Sequence, residues 1–300
     1  MPSAPPPNMR LVRLPTAGLA ELEANALLAW HPKVSLELPL LVVLFFHGLE
    51  PDPDNPDSQR AQNFAWTGHG LPDQLATCGK NAVLIAPTMR FKKGHDSDYV
   101  DSGYLATRSQ IATLVQDGLS AIGRSLGRAD GWPAESVISQ AKLLLVGFSN
   151  GYLAWNAAVA ALRSPTGSLV PPPTVIGHSL FDCLYWSSLL MEGLFQNSPV
   201  ANARFSPRGR AILNSAFVTT HFTPTNPTYK VQAKYLQTMI AHEPTLASHN
   251  QIPGSLGPHE IVMAVLPAST GHLQAVRQDN GLSHVMAAVA GLDLPESPSA

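Results

Sequence analysis

Charge is scarce in this chain. Only 13% of its 300 residues are Asp, Glu, Lys or Arg, and the formal net charge is −2. That is about half the charged share of an ordinary soluble domain. There is no long basic run, so neither nucleic-acid binding nor steering to an anionic membrane has electrostatic support. Cysteine is nearly missing too. Cys78 and Cys183 make no disulfide framework and fit no zinc spacing, and such thiols suit a reducing cytoplasm. The longest apolar run, "LPLLVVLFF" from Leu38 to Phe46, falls short of the roughly 20 residues that cross a bilayer. The N-terminus, "MPSAPPPNMRLVRLP", lacks a basic start leading into an apolar core, so no signal peptide is expected. A protein free in solution is the expectation.

What the chain has in quantity is apolar residues, 45% of the total, enough to bury a sizeable core. Short continuous apolar runs bounded by turn residues read as buried strands: Leu40–Phe46, Ala82–Ala86, Lys142–Val146, Thr174–Leu180, Ala211–Thr219 and Ile261–Leu266. Residues 10–32 add candidate edge strands. Helical patterns lie between the runs. One of them, "SQIATLVQDGLSAIGRSLG", puts Ile111, Leu114, Val115, Leu119, Ile122 and Leu126 on one face, with Ser109 as a candidate N-cap. The alternation predicts an α/β fold, a mostly parallel central sheet covered by helices on both faces, with ligands at the carboxyl ends of the strands. No linker interrupts it, so residues 1–300 read as one domain with flexible ends at 1–8 and 294–300. The excursion at 187–207 reads as either a small cap or a crossover helix.

The stretch "LLLVGFSNGYLAW" holds the pattern G-x-S-x-G at Gly147, Ser149 and Gly151. A strand precedes it and a helix follows, which turns a common pattern into a strained strand-to-helix turn that holds the serine. The glycines have a steric reason, since a Cβ two residues either side of the serine would meet the turn or neighbouring strands. The helix N-terminus below the serine favours developing negative charge.

With "LFFHG", "GFSNG", "LFDCLYW" and "STGHLQAV" in that order, the chain resembles the α/β-hydrolase family over roughly residues 35–290. The resemblance implies that Ser149 is the nucleophile, which needs a base because a free hydroxyl attacks weakly. The family order is serine, then acid, then histidine. His272, on the loop after the last strand, is the candidate base. His284, in an apparent helix twelve residues on, is the second candidate.

The acid usually follows the strand after the cap, but "THFTPTNPTYK" contains no carboxylate. Asp182, at the end of the preceding strand, is the candidate instead, because a lone acid ending an apolar strand is costly unless it is used. Its alternative role is a helix N-cap. Its catalytic role would be to accept a hydrogen bond from His272 and hold the tautomer. His178, within the same strand, and Cys183, turned to the opposite face, read as packing residues.

The resemblance assigns one oxyanion donor to the backbone N–H of Asn150 and the other to the loop after "HG", at Leu49 or Gly48. His47 reads as a residue that holds this loop. His221, Tyr185 and Trp186 are candidate pocket residues, whereas Trp155 reads equally well as core. "EPDPDNPD", Glu50–Asp57, departs from calcium-loop patterns, so no metal is expected, and no cofactor is implied.

The expected function is cleavage of a small, uncharged and moderately apolar carboxylic ester through an acyl-enzyme. An amidase, peptidase or acyltransferase using the same residues is the first alternative. A hydrolase-fold binding protein without chemistry is the second.

Overall fold

The computed structural model of the chain describes residues 7–14, 25–48, 69–88, 91–92, 99–100, 108–163, 173–183, 204–224, 229–277 and 281–295. Its strands are β1 (Met9–Arg13), β2 (Asn25–Trp30), β3 (Leu41–Phe46), β4 (Ala82–Pro87), β5 (Phe91–Lys92), β6 (Tyr99–Val100), β7 (Lys142–Phe148), β8 (Thr174–Phe181), β9 (Phe217–Phe222), β10 (Ala247–His249) and β11 (Glu260–Val265). Its helices are α1 (Leu71–Thr77), α2 (Arg108–Ser125), α3 (Glu135–Gln140), α4 (Tyr152–Arg163), α5 (Pro207–Leu213), α6 (Tyr229–Ala241) and α7 (Leu282–Ala288).

Nine strands form one sheet in the order β1-β2-β4-β3-β7-β8-β9-β11-β10. β2 pairs antiparallel with both β1 and β4, and every other pair in the sheet is parallel, so β2 alone runs against the rest. The central parallel strands β3, β4 and β7 are continuous apolar runs, as expected of strands covered on both sides. In β3 all six residues are buried. Its side chains alternate between two cores: Val42, Leu44 and Phe46 join one, with Ile111 and Leu119 of α2 and Trp155 of α4. Leu41, Val43 and Phe45 join the other, with Leu71 and Leu75 of α1 and Val285 of α7. Helices therefore cover both faces, the layering expected from the alternating pattern.

One strand differs from the sequence expectation at both ends, starting six residues later and ending three residues later. Ala211–Thr219 is not a strand throughout, because Ala211, Ile212 and Leu213 end helix α5. Ser206 caps that helix by accepting a hydrogen bond from the Gly209 N–H at 2.9 Å, and Pro207 sits in its first turn. Cap and proline outweigh the apolar run, and the strand starts only at Phe217. Helix α2 is described from Arg108, which places Ser109 inside the helix rather than at its cap.

Among the described residues, no helix is long and apolar enough to cross a membrane. Residues 187–203 of the excursion, and the acidic stretch 50–57, lie outside the described residues.

Candidate active site

The site gathers where parallel strands end. Gly48 follows β3, Ser149 follows β7, Asp182 follows β8, Thr223 follows β9, and His272 lies in a 3-10 turn beyond β11. This is the carboxyl edge, where parallel sheets bind ligands.

Ser149 opens a 3-10 turn (Ser149–Gly151) that runs into α4. Its φ is 50°, a left-handed conformation that costs a non-glycine residue energy and recurs at functional sites. Close approach explains two glycines around the serine, whereas a Cβ on Gly147 would meet only side chains, none nearer than 3.3 Å. A Cβ on Gly151 would lie 2.2 Å from the Phe46 carbonyl oxygen, and one on Gly48 would lie 2.5 Å from Ser149 Cβ. The 3-10 turn and the end of β3 are thus in close backbone approach, and the turn after β3 lies directly against the serine. His47 fixes that turn: its Nδ1 donates to the Gly48 carbonyl at 2.8 Å.

Asp182 also has a positive φ, 48°, and is 1% exposed. Its N–H donates to the His221 carbonyl at 2.7 Å, which ties the end of β8 to β9. Oδ1 accepts from the Thr223 N–H at 3.1 Å, and Oδ2 accepts from Thr223 Oγ1 at 2.7 Å. Oδ2 also lies 2.5 Å from His272 Nδ1, across 90 residues of sequence. Several donors on one buried carboxylate offset the cost of removing its charge from water.

The His272 ring lies against Phe148, the residue before the serine, with centroids 4.8 Å apart. Its side chain is 34% exposed, against 1% for Asp182, so the imidazole reaches from the buried acid toward solvent. Among the described residues, no hydrogen bond joins the Ser149 hydroxyl to His272. Such contacts often tighten only with substrate bound. His284, the second candidate base, sits exposed on α7 and borders a separate groove of about 480 Å³ with residues 251–254.

His221 does not sit at a pocket edge. It lies within β9, 1% exposed, stacked on Phe181 at 4.2 Å and within 3.2 Å of Thr219 Oγ1. The strand runs three residues past the expected Thr219, which carries His221 inside. Burial lowers its imidazole from 6.5 to about 3. Trp155 is 1% exposed, and its Nε1–H donates to His178 Nδ1 at 3.2 Å, so both belong to the packed core. Cys183 is 1% exposed, and burial, with a smaller contribution from the Asp182 charge, pushes its thiol well up. Leu49, Tyr185 and Trp186 lie outside the described residues. Among the described residues, no group of three or more His, Cys, Asp or Glu side chains could hold a metal ion.

A mostly parallel sheet with helices on both faces, whose fifth strand in spatial order ends in a serine turn of positive φ, meets the definition of one fold. The chain has the α/β-hydrolase fold.

No family model and no curated protein sequence matches the chain. Among solved structures it is similar to a mutant of the feruloyl esterase module from Clostridium thermocellum complexed with sinapinate, at 13% identity over 95% of this chain and 88% of that one, with a TM-score of 0.47. It is similar to Thermogutta terrifontis esterase 2 phosphonylated by sarin at 11% identity, over 94% and 91% of the two chains, with a TM-score of 0.45. It is also similar to an alpha-beta serine hydrolase homologue from Coxiella burnetii at 13% identity, over 93% and 95%, with a TM-score of 0.39. Strand order and the turn at Ser149 define the fold independently of these likenesses.

Two residues of the site escape sequence reasoning. Phe148 is the platform under His272, and nothing in G-x-S-x-G marks the x as an aromatic support. Thr223 stands where the acid is usually found. It becomes visible only once the end of β9 is placed at Phe222.

Proposed function

We propose that the protein is a serine hydrolase that cleaves carboxylic esters through an acyl-enzyme. Ser149 Oγ attacks the ester carbonyl, and His272 Nε2 takes its proton. The tetrahedral oxyanion is held by the backbone N–H of Asn150, at the start of the turn into α4, and by an N–H of the turn after β3, at Gly48 or Leu49. His272 then returns the proton to the leaving alkoxide, which departs as the alcohol. Water, deprotonated by the same imidazole, attacks the acyl group and releases the acid. Asp182 holds Nδ1 protonated so that Nε2 faces the serine as a base, and it stabilises the imidazolium that forms.

The observation that carries this reading is the 2.5 Å contact between His272 Nδ1 and Asp182 Oδ2, made between the residue just past β8 and the first residue of the 3-10 turn beyond β11. Small, uncharged, moderately apolar esters are the proposed substrates, in keeping with the low charge of the chain. The free, buried thiols of Cys78 and Cys183 suit a cytoplasmic setting.

Labelling with a fluorophosphonate probe tests the reading. The wild type should be labelled and Ser149→Ala should not. A well-folded wild type that resists the probe would overturn it. Ester and amide substrates sharing one acyl group then decide between esterase and amidase turnover.

A further inference from the structure

Resting on that reading, we infer that Thr223 is a positioning residue of the catalytic machinery: its hydroxyl and its N–H together hold the Asp182 carboxylate in the orientation that receives His272.

The geometry is specific. Thr223 is the first residue after β9, and it is fully buried. Its two donors reach different oxygens of one carboxylate: the N–H reaches Oδ1 at 3.1 Å and Oγ1 reaches Oδ2 at 2.7 Å. Two donors on two oxygens fix the rotation of the carboxyl plane about the Cβ–Cγ bond, which a single donor leaves free. Oδ2 is also the oxygen that receives His272 Nδ1. The threonine hydroxyl and the imidazole N–H therefore converge on one atom, so the position of the first bears on the second.

The backbone reinforces the arrangement. Phe181 is in register with His221, and the next N–H of β8, that of Asp182, donates to the His221 carbonyl. The ladder then ends. Thr223 N–H turns from backbone pairing to the side chain of Asp182. The carboxylate thus takes over a donor released at the end of the sheet, and the acid is built into the β8–β9 junction rather than hanging from a loop.

Removing the hydroxyl while keeping the shape isolates its role, because the backbone N–H survives substitution by Val, Ala or Ser. Thr223→Val should lower kcat for 4-nitrophenyl butyrate by on the order of tenfold or more, the scale of one hydrogen bond to a charged group, with KM changed less than about twofold. The proton resonance of His272 Nδ1–H should shift or broaden in the same variant. Thr223→Ser should restore kcat and the resonance to near wild type. If Thr223→Val is recovered unfolded, Thr223→Ala gives the same comparison against Thr223→Ser.

Retention of kcat and of the resonance in a folded Val or Ala variant would overturn the inference. So would an equal loss in Thr223→Ser, which would mean that packing rather than the hydroxyl matters. Ser149→Ala and Asp182→Asn belong in the same series. Turnover that survives those two means that the triad itself is misassigned. Turnover lost in them but kept in Thr223→Val removes Thr223 alone.

Discussion

Ser149 and Asp182 stand level on adjacent parallel strands. Phe148 of β7 is in register with Phe181 of β8, so each is the next residue of its strand, and each turns to positive φ, 50° and 48°. The two strands thus break from the sheet at the same height, one presenting a hydroxyl and the other a carboxylate. Neither residue is a glycine, so the strain must be held by surrounding packing and hydrogen bonds.

If Asp182 sets the tautomer of His272, Asp182→Asn should cost most of kcat. A factor on the order of 10⁴ is the scale seen when the acid of a serine-protease triad is changed this way. Steady-state kinetics with circular dichroism as a folding control measures it. Near-normal turnover would mean that another carboxylate serves.

Gly48 should not tolerate a methyl group. A Cβ there falls 2.5 Å from Ser149 Cβ, closer than real contacts allow, and 3.0 Å from Oγ, a tight contact. Gly48→Ala should therefore slow fluorophosphonate labelling by about tenfold or more. Gly254→Ala, where nothing lies within 4 Å, should label at the wild-type rate. Equal labelling rates in the two variants would show that the turn after β3 yields freely.

Acid should destabilise the fold through His221. In the unfolded chain its imidazole takes a proton near pH 6.5, but in the folded protein only near pH 3. Between those values the unfolded state binds more protons, so stability present above pH 6.5 falls as the pH drops toward 3. This one group accounts for a loss of about 2 kcal/mol between pH 7 and pH 5. Urea unfolding of His221→Leu should show a flatter pH profile by that amount. An unchanged slope would assign the acid sensitivity elsewhere.

Asn81 should be a stability residue remote from the chemistry. It is fully buried: Oδ1 accepts from the Ser35 N–H at 2.8 Å, and Nδ2 donates to the carbonyls of Ser35 at 2.9 Å and Pro39 at 3.0 Å. Its own N–H donates to the Leu292 carbonyl at 2.7 Å. Asn81→Ala should cost about 3 kcal/mol in urea unfolding, because buried backbone groups are left unpaired. Activity at low temperature should be nearly unchanged.

The parallel strands were legible because burial on both faces demands uninterrupted apolar runs, and β3, β4 and β7 are such runs. The serine turn was legible because position 151 has to be a glycine where the turn presses on the carbonyls of Phe46 and His47. The boundary before β9 was not, since Ala211–Leu213 is as apolar as a strand and only the Ser206 cap and Pro207 decide for a helix. The strand's other end differs as well, running three residues past Thr219, and that difference hid Thr223. With the strand ended at Thr219, Thr223 falls inside a loop. With it ended at Phe222, Thr223 is the next residue along, beside Asp182. His221 was misplaced for the same reason. The partnership of Asp182 with His272 was readable as chain order, but its hydrogen bonds depend on how two strand ends meet, which no local pattern records.

The glycine at position 151 has a mechanical consequence. With the carbonyls of Phe46 and His47 pressed into the space that a side chain would take, the serine turn and the turn after β3 cannot slide past each other. On the proposed mechanism, nucleophile and oxyanion donors then behave as one rigid block. A substrate that needs more room has to gain it by displacing other parts of the rim, so the size range the enzyme accepts and the quality of its chemistry can evolve separately.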